Sequence, residues 1–295
     1  MCYRITSVFV EQNKTHSEFS NADSWVILSE IEQSIKRKIE AIGTPLKDWD
    51  IQINYGIKTG LNDAFIITTE KRNEILSNCR SDEERSRTEE IIRPILRGRD
   101  IKRYSYDWGG LYLVWVPWHF PLHLDNTIQG ASEVAEKAFQ IQYPSVYQHL
   151  LQYKPQLAAR NKAETGIRYE WYALQRWGAN YWEDFQKPKL VYNDIAQHLS
   201  FALSINGEFL NNTAYFISAE DLDLLKYLQQ ILNSTLMDWY YRTISVQLGE
   251  KAVRMFSIYV LKIPIPKRVD IITTEDEVFR LYGLSTEEIC YLRNH

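Results

Sequence analysis

The sequence predicts an α+β fold, and three observations carry that reading. Apolar residues recur at helical steps in some stretches and gather into short strand-like runs in others. Asn206-Gly207, between two apolar runs, is the signature of a two-residue hairpin turn. Helices and strands also alternate without the regular βαβ period of a doubly wound sheet.

In chain order, residues 1–19 read as a leader. With Ser20 and Asn21 as caps, Leu28, Ile31, Ile35 and Ile39 recur at three- and four-residue steps while Lys36, Arg37 and Lys38 crowd the other side. This predicts an amphipathic helix ending at Gly43. Gly56 to Asn62 is turn-prone and precedes a strand at Ala64 to Thr68. The acidic start of Asp82 to Glu90 predicts a helix that Pro94 stops. Leu111 to Val116 reads as a buried strand, and Ser132 to Arg160 as helix broken at Pro144, which suits the first turn of a second helix. Val191 to Ile195 and Ser200 to Ile205 are strand-like, and the Asn206-Gly207 turn leads into a strand at Thr213 to Ile217. Ser218 and Asp221 resemble a capping box opening one long helix, Asp221 to Arg242, in which Leu222, Leu225, Leu228, Leu232, Leu236 and Trp239 keep helical spacing. Ile263-Pro264-Ile265-Pro266 is extended, and Ser285 to Arg293 forms a short polar helix.

Composition excludes several classes. The 295 residues hold 34 Lys and Arg against 38 Asp and Glu, a net charge of -4, so the chain is no uniformly basic nucleic-acid coat. With 45% hydrophobic residues, 12 Gly and 9 Pro, it is neither disordered nor collagen-like. Cys2, Cys79 and Cys290 form no C-x-x-C pair, which supports neither a disulfide framework nor a zinc knuckle. No apolar run reaches the roughly 18 residues of a membrane span, and no signal-peptide order opens the chain. The expected home is a reducing cytoplasm, with no membrane partner. Aromatic residues make up 13% of the chain, many beside Arg or Lys, which suits a stacking surface and an amphipathic core alike.

Three segments hold side chains able to meet a polyanion. Gly56-Ile57-Lys58-Thr59-Gly60 fails as a Walker loop, since the Gly positions one and six residues before Lys58 are Ile57 and Gln52. What remains is a tight turn presenting Lys58, Thr59 and Asn62, equally suited to phosphate contact and to shaping a loop. Arg97, Arg99, Lys102 and Arg103 put four cations in seven residues. They suit guanine or phosphate contact, and equally a solvated run paired to upstream carboxylates. Arg168, Tyr169, Trp171, Tyr172, Arg176, Trp177, Tyr181 and Trp182 interleave cations with rings. Alternation in a strand would put Tyr169 and Trp171 on one face and Glu170 and Tyr172 on the other.

Catalytic constellations are sparse. No two prolines adjoin, so the Asn-Pro-Pro-Tyr motif of amino-methyltransferases has no place here, and no Gly-rich cofactor loop follows a first strand. Asp100-Ile101-Lys102 is a [DE]-x-K tripeptide of the kind metal-dependent nucleases use, and a match that short arises by chance in a chain this long. His119 and His123 have the spacing of a helical metal pair, which Pro121 argues against. Neither a Gly-x-Ser-x-Gly elbow nor a His near Cys79 supplies a nucleophile. No catalytic and no metal-binding residue is assigned.

The chain resembles the TaqI-like C-terminal specificity domain, the target recognition region of single-chain type IIG restriction-modification enzymes. The segments that carry the resemblance are Tyr55 to Ile67, Ile91 to Tyr104, Lys187 to Tyr192, Ile231-Leu232-Asn233-Ser234 and the closing Leu281-Tyr282-Gly283-Leu284-Ser285. The resemblance implies a mixed β-sheet recognition domain with packed helices, similar to those of type I specificity subunits. It also implies sequence-specific binding of double-stranded DNA that positions an adenine-specific methyltransferase or endonuclease. It places the recognition domain at 20–265, with a helical element at 219–243 and a C-terminal tail at 266–295. By residue type and family position, the DNA-facing set is Lys58, Thr59, Asn62, Arg97, Arg99, Lys102, Arg103, Arg168, Trp171, Arg176 and Trp177. The chain is expected to be non-catalytic alone. S-adenosylmethionine and magnesium would belong only to a methyltransferase or nuclease domain in cis or on a separate subunit. A metal-dependent nuclease using Asp100 and Lys102, and a protein-interaction scaffold with an aromatic surface, are the alternatives.

Overall fold

Helix starts follow side-chain capping. Ser29 accepts from the Glu32 amide and Glu32 reaches back to the Ser29 amide, a capping box that opens helix Glu30–Ile42 with Ile35 and Ile39 buried. The expected caps Ser20 and Asn21, like the leader, lie outside the described residues. The structure, a computed structural model, describes residues 28–164, 167–249, 251–267 and 271–294. The chain divides into two compact units, one of 51–196 with 200–229, the other of the part through Asp50, 197–199 and Gln230 onward. The first of these falls within the expected span of 20–265. Helices and small sheets share the molecule, as the α+β reading expects.

In the unit of 51–196 and 200–229, one sheet runs Gln52–Tyr55, Ala214–Ser218, Lys189–Asn193, Phe201–Ser204, antiparallel throughout. A second runs Ile66–Thr68, Leu111–Val114, Ile92–Leu96, Phe209–Leu210, antiparallel except for its last pair, so this sheet is mixed. Helices Glu133–Gln142, Pro144–Leu151 and Lys154–Glu164 follow one another, with Pro144 at a first-turn position where its missing N–H costs nothing. Phe139, Val146, Leu150 and Leu157 carry these helices into one core with Phe65, Ile95, Leu113, Val191 and Phe216.

Several local expectations are corrected. Gly207 does turn, at φ +76°, but no hairpin joins Phe201–Ser204 to Ala214–Ser218, because Lys189–Asn193 lies between them. Phe209-Leu210 goes instead to the other sheet, parallel to Ile95-Leu96 and buried there. Pro94 is not the helix stop, since Asp82–Ile91 ends when Ile92 turns extended and Pro94 falls within strand Ile92–Leu96. Residues 62–65 form one helical turn, which shortens the strand expected from Ala64 to Ile66–Thr68. The long helix from Asp221 is two, Leu222–Leu232 and Thr235–Ile244, because the Ser234 side chain accepts from the Met237 amide and starts the second. Asp221 rather than Ser218 caps the first, its Oδ1 accepting from the Asp223 amide at 2.8 Å.

In the other unit, Thr235–Ile244, Glu275–Leu281 and Thr286–Asn294 join Glu30–Ile42, beside the short pair Thr44–Pro45 and Pro264–Ile265. Glu288 accepts from Ser34 Oγ at 2.7 Å and Lys38 Nζ at 2.7 Å, tying the last helix to the first. No helix among the described residues is long and apolar enough to cross a membrane.

Candidate nucleic-acid interface

The loop after strand Gln52–Tyr55 is laid against two other turns by backbone bonds. Gly56 N donates to Ala214 O at 2.9 Å, Ile57 N to Leu210 O at 2.7 Å, and Asn211 N to Leu96 O at 3.0 Å. Gly56 makes this possible, since a Cβ there would stand 2.0 Å from Asn211 O. Gly98 N donates to Thr213 Oγ1 at 2.9 Å, and Asp194 N to Thr213 O at 3.0 Å. Segments around residues 62, 97, 193 and 212 thereby enclose a cleft of about 690 Å³ lined by Asn62, Asp63, Arg97, Arg99, Asn193 and Thr213 among others.

Arg97 is the most constrained cation in that lining. Asp100 Oδ2 accepts from Arg97 N at 2.8 Å and Nε at 2.9 Å, and Oδ1 from Nη2 at 2.7 Å. Burial pushes the Asp100 carboxyl up, but the bonds from the Arg97 side chain and backbone outweigh it and hold it below the usual carboxylate range. The same bond raises the Arg97 guanidinium further. Both Asp100 oxygens are thus engaged, and Lys102 Nζ is directed at Arg99 O at 3.5 Å, which gives the Asp100-Ile101-Lys102 tripeptide a structural use.

The other expected residues fall into two groups. Arg99, Lys102, Arg103, Arg168 and Arg176 are exposed, and Lys58 is half-buried. Lys58 and Arg176 exchange backbone bonds, Lys58 N to Arg176 O at 3.0 Å and Arg176 N to Lys58 O at 2.9 Å. Two cationic residues thus face each other across an isolated antiparallel bridge. The Arg103 guanidinium lies 5.6 Å over the Tyr104 ring. Thr59 is buried and its hydroxyl donates to Asn62 Oδ1 at 2.7 Å, so Thr59 shapes the loop while Asn62 lines the cleft.

The ring-and-cation stretch is not a strand. Tyr169, Glu170 and Tyr172 are all buried, so the expected alternation of faces does not hold. Trp177 packs in the core against Trp115 and His123, at 6.1 and 6.2 Å between ring centroids, and has no face to offer a base. Trp171 is half-buried, its Nε1 donating to Glu136 Oε1 at 2.7 Å and its ring covered by Lys154 Nζ at 4.8 Å. His119 Nδ1 meets Glu170 Oε1 at 2.9 Å, whereas the His123 ring packs on Trp115 and Phe120, so the two histidines serve different contacts. Burial lowers the His123 imidazole pKa.

One organiser has no local signature. Arg160, buried at the end of a helix, donates from Nη1 to Thr59 O at 2.8 Å and from Nη2 to Ala173 O at 2.8 Å, while Asn161 Oδ1 takes Nε at 2.8 Å. It fixes the 56–62 loop to the 171–175 segment, and Gly60 leaves it room, since a Cβ there would lie 2.5 Å from Arg160 Cδ. Asn193, Asp63 and Asp194 were likewise invisible as cleft residues, because only the pairing of distant strands gathers them.

The cleft brings Arg97 and Arg99 together with Asn62 and Asn193, on a unit that also exposes Lys102, Arg103, Arg168 and Arg176, an arrangement suited to a ligand that carries both charge and hydrogen-bonding edges. The TaqI-like C-terminal specificity domain matches residues 93–265, and the chain belongs to that family. The type II methyltransferase M.PaeR7I of Pseudomonas aeruginosa is 21% identical over 286 residues, which take in 91% of this chain and 44% of that protein. The chain therefore spans less than half the length of that curated relative. Among solved structures, the type IIL restriction-modification enzyme MmeI in complex with DNA is 15% identical at a TM-score of 0.42, over 74% of this chain and 25% of that one. The type IIG restriction endonuclease BpuSI is 12% identical at a TM-score of 0.47, over 86% and 28%.

Proposed function

We propose that this chain is the DNA target recognition module of a restriction-modification system, reading a short duplex sequence for an adenine-specific methyltransferase or endonuclease. The observation that carries the reading is the cleft built from segments around residues 62, 97, 193 and 212, on a unit that also exposes Arg99, Lys102, Arg103, Arg168 and Arg176. Local field rather than total charge governs attraction to phosphate, so a net charge of -4 is compatible with duplex binding. Family membership supports the same reading. Phosphate contact falls to the exposed cations together with Lys58, and base contact to the cleft. The catalytic domain, carried in cis or by another subunit of the cytoplasm, supplies S-adenosylmethionine chemistry and any magnesium. This chain contributes no catalytic residue.

Selection from a randomised duplex pool at roughly 50 and 200 mM salt tests the reading. One enriched short site, with affinity falling about a thousandfold between the two salts for six neutralised phosphates, is the expected result. Retention without sequence preference would remove base reading from this chain.

A further inference from the structure

The inference rests on the duplex-recognition reading and concerns which side chain reads a base. A guanidinium has five N–H donors in a rigid fork, enough for two bidentate contacts on different edges. In Arg97 the side-on edge, Nε and Nη2, is taken by Asp100 at 2.9 and 2.7 Å. The Asp100 side chain is 7% exposed and that of Arg97 is 23% exposed, so the pair is largely buried while Arg97 lines the cleft. Gly109 backs the fork, since a Cβ there would stand 2.8 Å from Arg97 Nη2. The end-on edge, Nη1 with the second N–H of Nη2, has no partner among the described residues.

Two adjacent acceptors satisfy that edge, as in guanine O6 and N7 or in a phosphate. Three observations choose guanine. Asp100 at 2.7 Å cancels most of the Arg97 charge, which weakens the pull on phosphate but leaves the donor geometry fixed. Asp63 shares the lining, and a carboxylate there repels phosphate while suiting the amino groups of bases. Asn62 and Asn193 add amides, whereas Arg99 is exposed and forms no ion pair among the described residues, as a phosphate contact requires. We propose that Arg97, buttressed by Asp100, is a specificity-determining residue that reads one guanine of the target through its end-on edge, with Arg99 beside it on phosphate.

The test uses the full chain and the site recovered from the pool. Each target guanine is replaced in turn by 7-deazaguanine, which lacks the N7 acceptor. The wild-type chain should lose affinity by about ten- to a hundredfold at one position. Arg97→Met keeps the stem but loses every donor, so it should accept any base at that position and be indifferent to 7-deazaguanine there. The wild-type measurement does not depend on how the variant folds. Three results would overturn the assignment: no sensitive guanine, the same guanine still sensitive in Arg97→Met, or an Arg97→Met loss equal on all sequences with a shallower salt dependence. A pool that returns no enriched site overturns the recognition reading itself, and the assignment with it.

Discussion

In the unit that includes Asp50 and Gln230 onward, helices open on neighbours in sequence: Ser29 with Glu32, Ser234 with the Met237 amide, Thr274 with Glu277. In the unit of 51–196 and 200–229 helices are capped locally too, as by Thr68, Ser81 and Ser132, but some buried polar groups are bonded across the chain, with Arg160 on Thr59 and Ala173, His149 Nε2 against Ala64 O, and Gly98 on Thr213. A capped helix end is an exchange within one turn, and its loss exposes groups that water can reach. A buried guanidinium spanning two segments has no such substitute, because removing it strands carbonyls that water does not reach. The loop that borders the cleft is therefore held by the costlier kind of bond, as the proposed reading of a duplex demands.

The largest expected effect follows directly. Arg160→Met should destabilise the chain by about 3 kcal/mol in thermal or urea unfolding, since Thr59 O and Ala173 O lose charge-assisted donors together. A loss under about 1 kcal/mol would mean that water enters and that the contrast between the units is overstated.

Next comes Lys189, fully buried in the strand Lys189–Asn193, with Nζ donating to Phe185 O at 2.8 Å. Burial pushes its pKa down to about 8, against a partial pull upward from Glu208. The unfolded chain then binds the extra proton from about pH 8 to the ordinary lysine value near 10.5, so stability rises with pH across that window. The lysine's share of that rise is on the order of 3 kcal/mol. Lys189→Met should flatten the rise, and an unchanged slope in the variant would assign it to other groups.

The smallest effect belongs to the locally capped unit. Thr274→Ala removes the acceptor of the Glu277 amide at the start of Glu275–Leu281 and should cost about 1 kcal/mol. The loss should leave duplex affinity per folded molecule unchanged. A drop in affinity would show that this unit also shapes the reading surface.

Much of the architecture was legible because its causes are local. Ile35 and Ile39 at helical spacing, and Pro144 at a helix start, behave as their residue types dictate. Even the break between Leu222–Leu232 and Thr235–Ile244 had a visible cause in Ser234, masked by apolar spacing that resumes in step after it. Misreadings came where a correct local signal met a distant partner. Asn206-Gly207 turned as expected, yet the strand after it joined the other sheet, since Phe209 and Leu210 find buried places beside Ile95 and Leu96. Trp177 looked like part of a stacking surface because interleaving with Arg176 does not reveal which side chain faces inward.

For the site, the sequence sufficed to mark Arg97 and Arg99 as cations of interest and Asp100 as a carboxylate with a possible task. Asn193 and Asp194 as cleft neighbours of residues about a hundred positions earlier, and Arg160 as the fastener of the loop, were decided by tertiary structure, whereas Asp100 buttresses Arg97 from only three residues away. The reason is one of range. Caps, turns and helical periodicity act within about four residues and leave their mark in the order of side chains. Burial and the gathering of a cleft lining depend on strand partners that the chain meets only when it closes on itself.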